Sequence, residues 1–345
     1  MKRILFRMFC LVSLGLFVTT PLISNDIVGA GATFPYPFYS KIFYEYGKQT
    51  GEKINYQAIG SGGGIRQITN KTVDFGATDG YLSDINMKKT EGYILHIPTC
   101  LGSVVLTYNL PGKPELNISQ SVLTDIYLGK IKKWNNSRIQ ADNPHVSLPK
   151  INIVVVHRSD GSGTSFIFTD FLSKISDVWK TKHGVGKSLK WPAGLGGKGN
   201  AGVAGLVKQI PGSIGYVELA YTLQNQMPQA KIENQSGNFI KPTLAFIALA
   251  GDIDMPEDTR VSLTDTPAEN GYPIAGFTWL LVYQEQNYAG RTFEDAQRLV
   301  SLLSWVINEG QVYADPLHYI PLSDGAKKKA VAVLASMTYN GNPIE

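Results

Sequence analysis

Between residues 26 and 79, short apolar runs alternate with segments of helical period, and this alternation narrows the possible folds more than any other feature. Asp26 to Gly29 reads as a strand, and Phe38, Ile42, Phe43 and Tyr46 mark one face of a helix ending near Gly47. Lys53 to Ile59 reads as the next strand, Gly60 to Gly64 as a loop, Ile65 to Lys71 as a helix, and Val73 to Thr78 as a third strand ending at Asp79. A βαβαβ order requires crossovers that are right-handed in nearly every known case, so the strands lie parallel in an α/β architecture. Ligands of open α/β sheets sit beyond the carboxyl ends of the strands. Three loops follow strand ends here: Ala32-Thr33-Phe34, Gly60 to Gly64, and Asp79-Gly80.

A fourth loop of the same kind lies further along. Ile151 to Val156 reads as a buried strand, and Phe166, Ile167, Phe171, Leu172 and Ile175 recur at helical spacing. Between them runs His157-Arg158-Ser159-Asp160-Gly161-Ser162-Gly163-Thr164-Ser165. A helix start presents N–H groups without intrahelical partners at its positive end. With the Arg158 guanidinium and the Ser162 and Thr164 hydroxyls it forms a cradle for an oxyanion. Asp160, two residues after Arg158, either orients the guanidinium or makes turn chemistry. Asp79 is an unusual companion, because a carboxylate repels an anion unless that anion carries a proton. Phosphate can donate such a proton and sulfate cannot.

The chain opens on Lys2, Arg3 and Arg7, then an apolar run from Met8 to Val18, then small and polar residues. Residues 1–24 are therefore expected to be a cleavable secretory signal, cut near Ser24 or Asn25. Cys10 follows Arg7-Met8-Phe9, which lack the small residues of a lipid-attachment signal. Without the signal the formal charge falls from +4 to +1, which argues against nucleic-acid binding by broad charge neutralisation. Cys100 is then the one remaining cysteine, so no intramolecular disulfide can form, and its apolar neighbours predict an inert buried thiol.

About 320 mature residues exceed what one core usually serves, so two lobes are expected. The first comprises residues 25–103 and 278–345, the second 104–277. Crossings near 102–107 and 277–282 would make a two-strand hinge. Ser213 to Val217 reads as a strand, and Arg291 to Asn308 as a helix ended by Gly310.

Catalytic and cofactor signals are poor. Gly29-x-Gly31 lacks the third glycine of a dinucleotide loop, since Phe34 stands in its place. Gly194 to Gly199 has no Gly-Lys-Ser/Thr ending and is expected to be a packed turn before a helix around Val203 and Leu206. Neither Ser61 nor Ser162 has nucleophile-elbow spacing, and the five histidines are scattered, so neither metal nor cofactor is called for. His157 reads as a rim or structural residue.

Taken together, Gly29 to Pro35, Gly60 to Gly64, Asp74 to Asp79, Asp125 to Ile131 with Trp134, Arg158 to Phe166, and Trp191-Pro192 through Gly199-Asn200 resemble the periplasmic phosphate-binding proteins of bacterial phosphate ABC transporters. The likeness runs in order through nearly the whole mature chain. It implies a two-lobed, type II-like periplasmic binding fold, each lobe a mixed, mainly parallel sheet flanked by helices. It also implies a monomer that closes on one phosphate and delivers it to membrane permease subunits. The family's ligand contacts carry over to Thr33, Phe34 through its N–H, Ser61, Asp79, Arg158, Ser162, Gly163 through its N–H, and Thr164, with Asp160 pairing the arginine. Gly62 stands where a second serine is common, Gly80 where alanine is common, and His157 where a basic residue is often found.

Overall fold

A computed structural model describes residues 26–344, so the expected signal segment, residues 1–24, lies outside the described residues. Eight strands form one continuous sheet: β1 (Ile27–Gly31), β2 (Ile54–Ala58), β3 (Phe75–Thr78), β4 (Ile94–Tyr108), β5 (Val154–Arg158), β6 (Leu195–Gly197), β7 (Ser213–Glu218) and β8 (Ala275–Tyr283). Their spatial order is β2-β1-β3-β8-β4-β7-β5-β6. β1 pairs in parallel with β2 and β3, and β5 pairs in parallel with β6 and β7. The parallel arrangement expected from the βαβαβ order is present at both ends of the sheet.

The middle is antiparallel and joins the two halves. β4 is buried along all fifteen residues, in keeping with the largely apolar stretch from Ile94 to Tyr108. Its segment Ile94–Ser103 pairs with β8, and from Val104 to Tyr108 it pairs with β7 instead. One strand thus runs through both halves of the sheet in a two-lobed α/β molecule. At the changeover the Val104 N–H donates to the Ile274 carbonyl, just before β8 begins.

Helix α1 (Tyr36–Thr50) follows β1 and buries Phe38, Tyr39, Ile42, Phe43 and Tyr46, the predicted face. Each such side chain removed from water contributes roughly 1.5–3 kcal/mol. The helix does not end at Gly47. It runs to Thr50 and stops at Gly51, whose φ of 80° places it in the left-handed region and lets its N–H reach the Gly47 carbonyl. Helix α2 (Ser61–Thr69) likewise starts four residues earlier than expected. Gly60, at φ 88°, turns the chain out of β2, and the following glycines form the first helical turn rather than a loop. They are there for proximity: a Cβ on Gly64 would lie 2.5 Å from the Ala30 carbonyl oxygen of β1.

In the other lobe β5 spans Val154–Arg158, not Ile151 to Val156, so Arg158 ends a strand instead of opening a loop. Ile151 instead accepts a hydrogen bond from the Trp134 N–H. Helix α3 (Gly163–Ile175) follows, capped by Ser162. The stretch expected to be a packed turn is strand β6, and α4 (Gly199–Gln209) starts immediately after it. Gly194 to Gly197 carries too few side chains to show strand periodicity. Near the carboxyl end, helix α5 (Phe293–Ile307) begins at a Thr292–Asp295 capping box, and Gly310 falls in the short 3-10 helix that follows it.

Candidate functional site

The carboxyl ends of β1, β2, β3 and β5 face one another across the junction of the lobes, and their loops deliver the expected residues to one buried place. Thr33, Phe34, Ser61, Asp79, Arg158, Ser162 and Thr164 are all buried, with Arg158 only 3% exposed. A guanidinium at that burial is costly unless paired, and this one is paired with a carboxylate while keeping N–H donors to spare. Its Nε donates to Asp160 Oδ1 at 2.8 Å and its Nη2 to Oδ2 at 2.6 Å, while Nη1 donates to Thr164 Oγ1 at 3.1 Å. Asp160 therefore orients Arg158, which resolves the alternative left open by the sequence. Burial opposes the Asp160 charge, but the Arg158 pair and the Gly199 N–H, 3.0 Å from Oδ1, prevail and hold its pKa below the ordinary carboxylate range.

Ser162 acts first as a cap. Its Oγ accepts the Ser165 N–H at 3.0 Å, which fixes the first turn of α3. Behind it Tyr216 from β7 accepts the Arg158 N–H at 3.1 Å and shares a 2.6 Å hydrogen bond with Ser165 Oγ. The end of the strand and the start of the helix are thus locked to a common phenol.

From the facing lobe, Ser61 bridges the junction. Its Oγ accepts the Asp79 N–H at 3.2 Å and, from across the cleft, the Gly163 N–H at 3.1 Å. The same hydroxyl donates to Asp79 Oδ2 at 3.4 Å. Asp79 Oδ1 accepts the Thr278 hydroxyl of β8 at 2.9 Å. Burial pushes the Asp79 pKa up to about 7, against the Thr278 hydrogen bond, the Arg158 charge, Ser61 and the Lys187 charge. A proton shared between Asp79 and a bound partner is therefore within reach near neutral pH. The Phe34 ring packs beside Gly102, where an added Cβ would come within 2.6 Å of its Cε1. The Tyr319 hydroxyl holds the Phe34 carbonyl at 2.7 Å.

Asn200, at the end of the Trp191 to Asn200 motif, shows no role in the sequence. Its Nδ2 donates to Thr33 Oγ1 at 2.9 Å and to Thr164 Oγ1 at 3.1 Å, and its Oδ1 accepts the Glu218 N–H at 2.9 Å. One amide side chain ties together α4, α3, β7 and the β1 loop. A polar residue in the first turn of a helix was the available signal. Tyr221, whose hydroxyl donates to the Thr33 carbonyl at 2.6 Å, and Thr278 had no local signal at all. His157 stacks on Trp191 with ring centroids 5.0 Å apart, a structural use of the ring.

The lobes are in direct contact around this place. Besides the Ser61–Gly163 and Asn200–Thr33 bonds, the Gly62 N–H donates to the Gly161 carbonyl at 2.8 Å. The Lys187 ammonium donates to the Tyr81 carbonyl at 3.1 Å. Chemically the arrangement offers one guanidinium, several hydroxyls, the first turns of α2, α3 and α4, and one carboxyl that can accept a proton. Such a set matches a small, protonated tetrahedral oxyanion. Among the described residues no group of three or more His, Cys, Asp or Glu side chains is arranged to hold a metal ion. Cys100 is buried and free, and burial pushes its thiol pKa well up.

Comparison with known proteins agrees with the geometry. The family described as the PBP superfamily domain matches residues 19–309. The phosphate-binding protein PstS of Haemophilus influenzae is 44% identical over 304 residues, covering 87% of this chain and 89% of that protein. The phosphate-binding protein PstS of Methanocaldococcus jannaschii is 40% identical, covering 84% of this chain and 80% of its own length. Among solved structures, a high-affinity periplasmic phosphate-binding protein bound with phosphate superposes with a TM-score of 0.72 at 22% identity, over 89% of this chain and 93% of that one. A putative phosphate ABC transporter substrate-binding protein from Clostridium perfringens gives a TM-score of 0.63 at 17% identity, over 87% and 100%. At these identities the two structures establish the shared fold.

Proposed function

Because the chain belongs to the PBP superfamily and, within it, to the PstS phosphate-binding proteins, we propose that Thr33, Phe34, Ser61, Asp79, Arg158, Ser162, Gly163 and Thr164 enclose the phosphate it captures. The chain captures inorganic phosphate for transport and works with the permease subunits of an ABC transporter. The observation that carries the residue assignment is the single junction where Ser61 Oγ, beside Asp79, takes the Gly163 N–H of the opposite lobe. It sets the carboxyl of one lobe against the arginine cradle of the other. Asp160 holds the guanidinium, and Asn200 aligns the Thr33 and Thr164 hydroxyls.

In this reading the ligand oxygens meet donors on every side except one. Arg158, the hydroxyls and the first-turn N–H groups donate, and Asp79 accepts the proton that hydrogen phosphate retains. The lobes part and close about the strand changeover at Ser103–Val104 and the start of β8, so residues 25–103 and 278–345 move against 104–277. Ligand binding favours the closed form through contacts that exist in that form alone. The chain acts as a monomer in the periplasm, exported by residues 1–24 and without nucleic-acid contacts; no described helix is long and apolar enough to cross a membrane.

Titration calorimetry with phosphate and sulfate, run beside a turnover assay on a generic phosphate ester with and without divalent metal, tests this reading. Tight phosphate binding with no turnover is the expected result, whereas hydrolysis would mark an exported phosphatase. Gly163→Ala provides a sharper probe of geometry. A Cβ there would lie 2.5 Å from both Asp79 Oδ2 and Ser61 Oγ, so the lobes cannot shut as they do now. Phosphate affinity should fall at least tenfold (~1.4 kcal/mol) with little change in thermal stability, and unchanged affinity would refute the closed arrangement.

A further inference from the structure

Resting on the phosphate reading above, we infer that Lys187 is a second cation of the binding site, supplied by one lobe and seated on the other as the cleft shuts. No motif marks it in the sequence, where it lies between Gly186 and Ser188, beyond the short helix Asp177–Lys182 that follows α3. Two hydrogen bonds fix it. Its carbonyl accepts the N–H of Ser162, the cap of α3, at 2.8 Å. Its ammonium donates to the Tyr81 carbonyl of the facing lobe at 3.1 Å. The ammonium also stands 4.9 Å above the Phe166 ring, which in turn meets the Tyr81 ring edge-on at 5.5 Å.

These contacts wrap the Asp79-Gly80-Tyr81 segment. A Cβ on Gly80 would come within 2.6 Å of Phe166 Cγ, so the glycine is what lets the ring, and with it the Lys187 ammonium, lie close against this strand end. Burial pushes the Lys187 pKa down to about 8, the nearby Asp79 charge works against that fall, and the ammonium in turn favours the ionised form of Asp79.

The charges explain why a second cation matters. Arg158 and Asp160 form a closed bidentate pair and cancel. An ionised Asp79 then leaves the surroundings at one negative charge before a phosphate dianion enters. Lys187 brings that balance to neutral without occupying a ligand-contact position. A charge held against a carbonyl and an aromatic face in a partly buried place is poorly screened by salt, so its effect on a buried anion is large. The ammonium reaches the Tyr81 carbonyl in the closed form, so it adds its charge when the anion is enclosed and slows its release.

The test compares Lys187→Met, Lys187→Gln and Lys187→Arg in the full mature chain. Phosphate affinity is measured by calorimetry and release by stopped flow, with thermal unfolding recorded in the absence of phosphate. Lys187→Met and Lys187→Gln should each weaken phosphate binding at least tenfold, chiefly through faster release, while Lys187→Arg stays within threefold of the parent. Unfolding without phosphate should change little, because the latch is made at the cleft. Parent-like affinity in Lys187→Met overturns the inference. So does parent-like affinity in Lys187→Gln, since a neutral donor would then suffice, and so does a loss fully matched by lower stability without phosphate. A parent chain that binds no phosphate defeats the functional reading itself, a result distinct from these.

Discussion

Replacing Arg158 with alanine will weaken phosphate binding about a hundredfold or more (~2.8 kcal/mol), the largest single effect expected at this site. The guanidinium is buried, and its loss removes a charged donor from the ligand while leaving the Asp160 carboxylate without its bidentate partner. Breaking a buried pair from one side typically costs ~3–5 kcal/mol, because the remaining charge stays desolvated. Asp160 would then repel the anion it formerly served. Lysine is no substitute: one ammonium cannot hold both Asp160 oxygens and Thr164 while facing a ligand. The Arg158→Lys variant should therefore lie closer to alanine than to the parent. Calorimetry on both variants decides the matter, and a parent-like isotherm for either would remove Arg158 from its assigned place.

The second large effect concerns discrimination. Hydrogen phosphate can donate its proton to an ionised Asp79; sulfate has none, so it requires a protonated Asp79 in order to avoid two acceptors meeting in a dry site. Losing one charged hydrogen bond costs ~1.5–3 kcal/mol, and an acceptor facing an acceptor costs more. Burial pushes the Asp79 pKa up to about 7. Below that pH the carboxyl already carries the proton, and sulfate incurs no penalty from it. Above it, each pH unit adds ~1.4 kcal/mol to the cost of protonation, a factor of ten. Sulfate affinity should accordingly be level from pH 5 to 6 and fall about tenfold per unit beyond 7.

Asp79→Asn should abolish that pH dependence. The carboxamide oxygen can keep the Thr278 hydroxyl, and the Nδ2 group then donates to either anion at any pH. The preference for phosphate over sulfate at pH 8 should drop at least tenfold, mainly through better sulfate binding. If the variant discriminates as the parent does, or if parent sulfate binding ignores pH, Asp79 does not read the ligand's proton.

Much of the site was legible because each part is local. Arg158, Asp160, Ser162, Gly163 and Thr164 span seven positions of one strand-loop-helix unit, and their residue types declare a donor cradle without reference to the rest of the chain. Thr33, Ser61 and Asp79 follow strand ends that hydrophobic periodicity locates to within a few residues. The misplacements have a common cause. Where glycines replace side chains, as in Gly60 to Gly64 and Gly194 to Gly197, there is no pattern of burial to reveal period. The helix starting at Ser61 and strand β6 were hidden for that reason.

Lys187, Asn200, Tyr221 and Thr278 were hidden for another reason. Their partners lie far off in the chain: Thr278 serves Asp79 from 199 positions away, Tyr221 serves Thr33 from 188, and Lys187 reaches Tyr81 from 106. Residue pattern alone was enough for the α/β architecture, the four strand-end loops and the chemical character of the arginine cradle. These follow from periodicity, turn chemistry and the unpaired N–H groups of a helix start, all set by neighbouring residues. Long-range packing is what brings Ser61 to Gly163, joins two hydroxyls through Asn200, and shifts Asp79 toward neutral pH by burial. Hydrogen bonds across a cleft and the loss of solvent around a carboxyl depend on which distant segments pack together, and no local pattern encodes that.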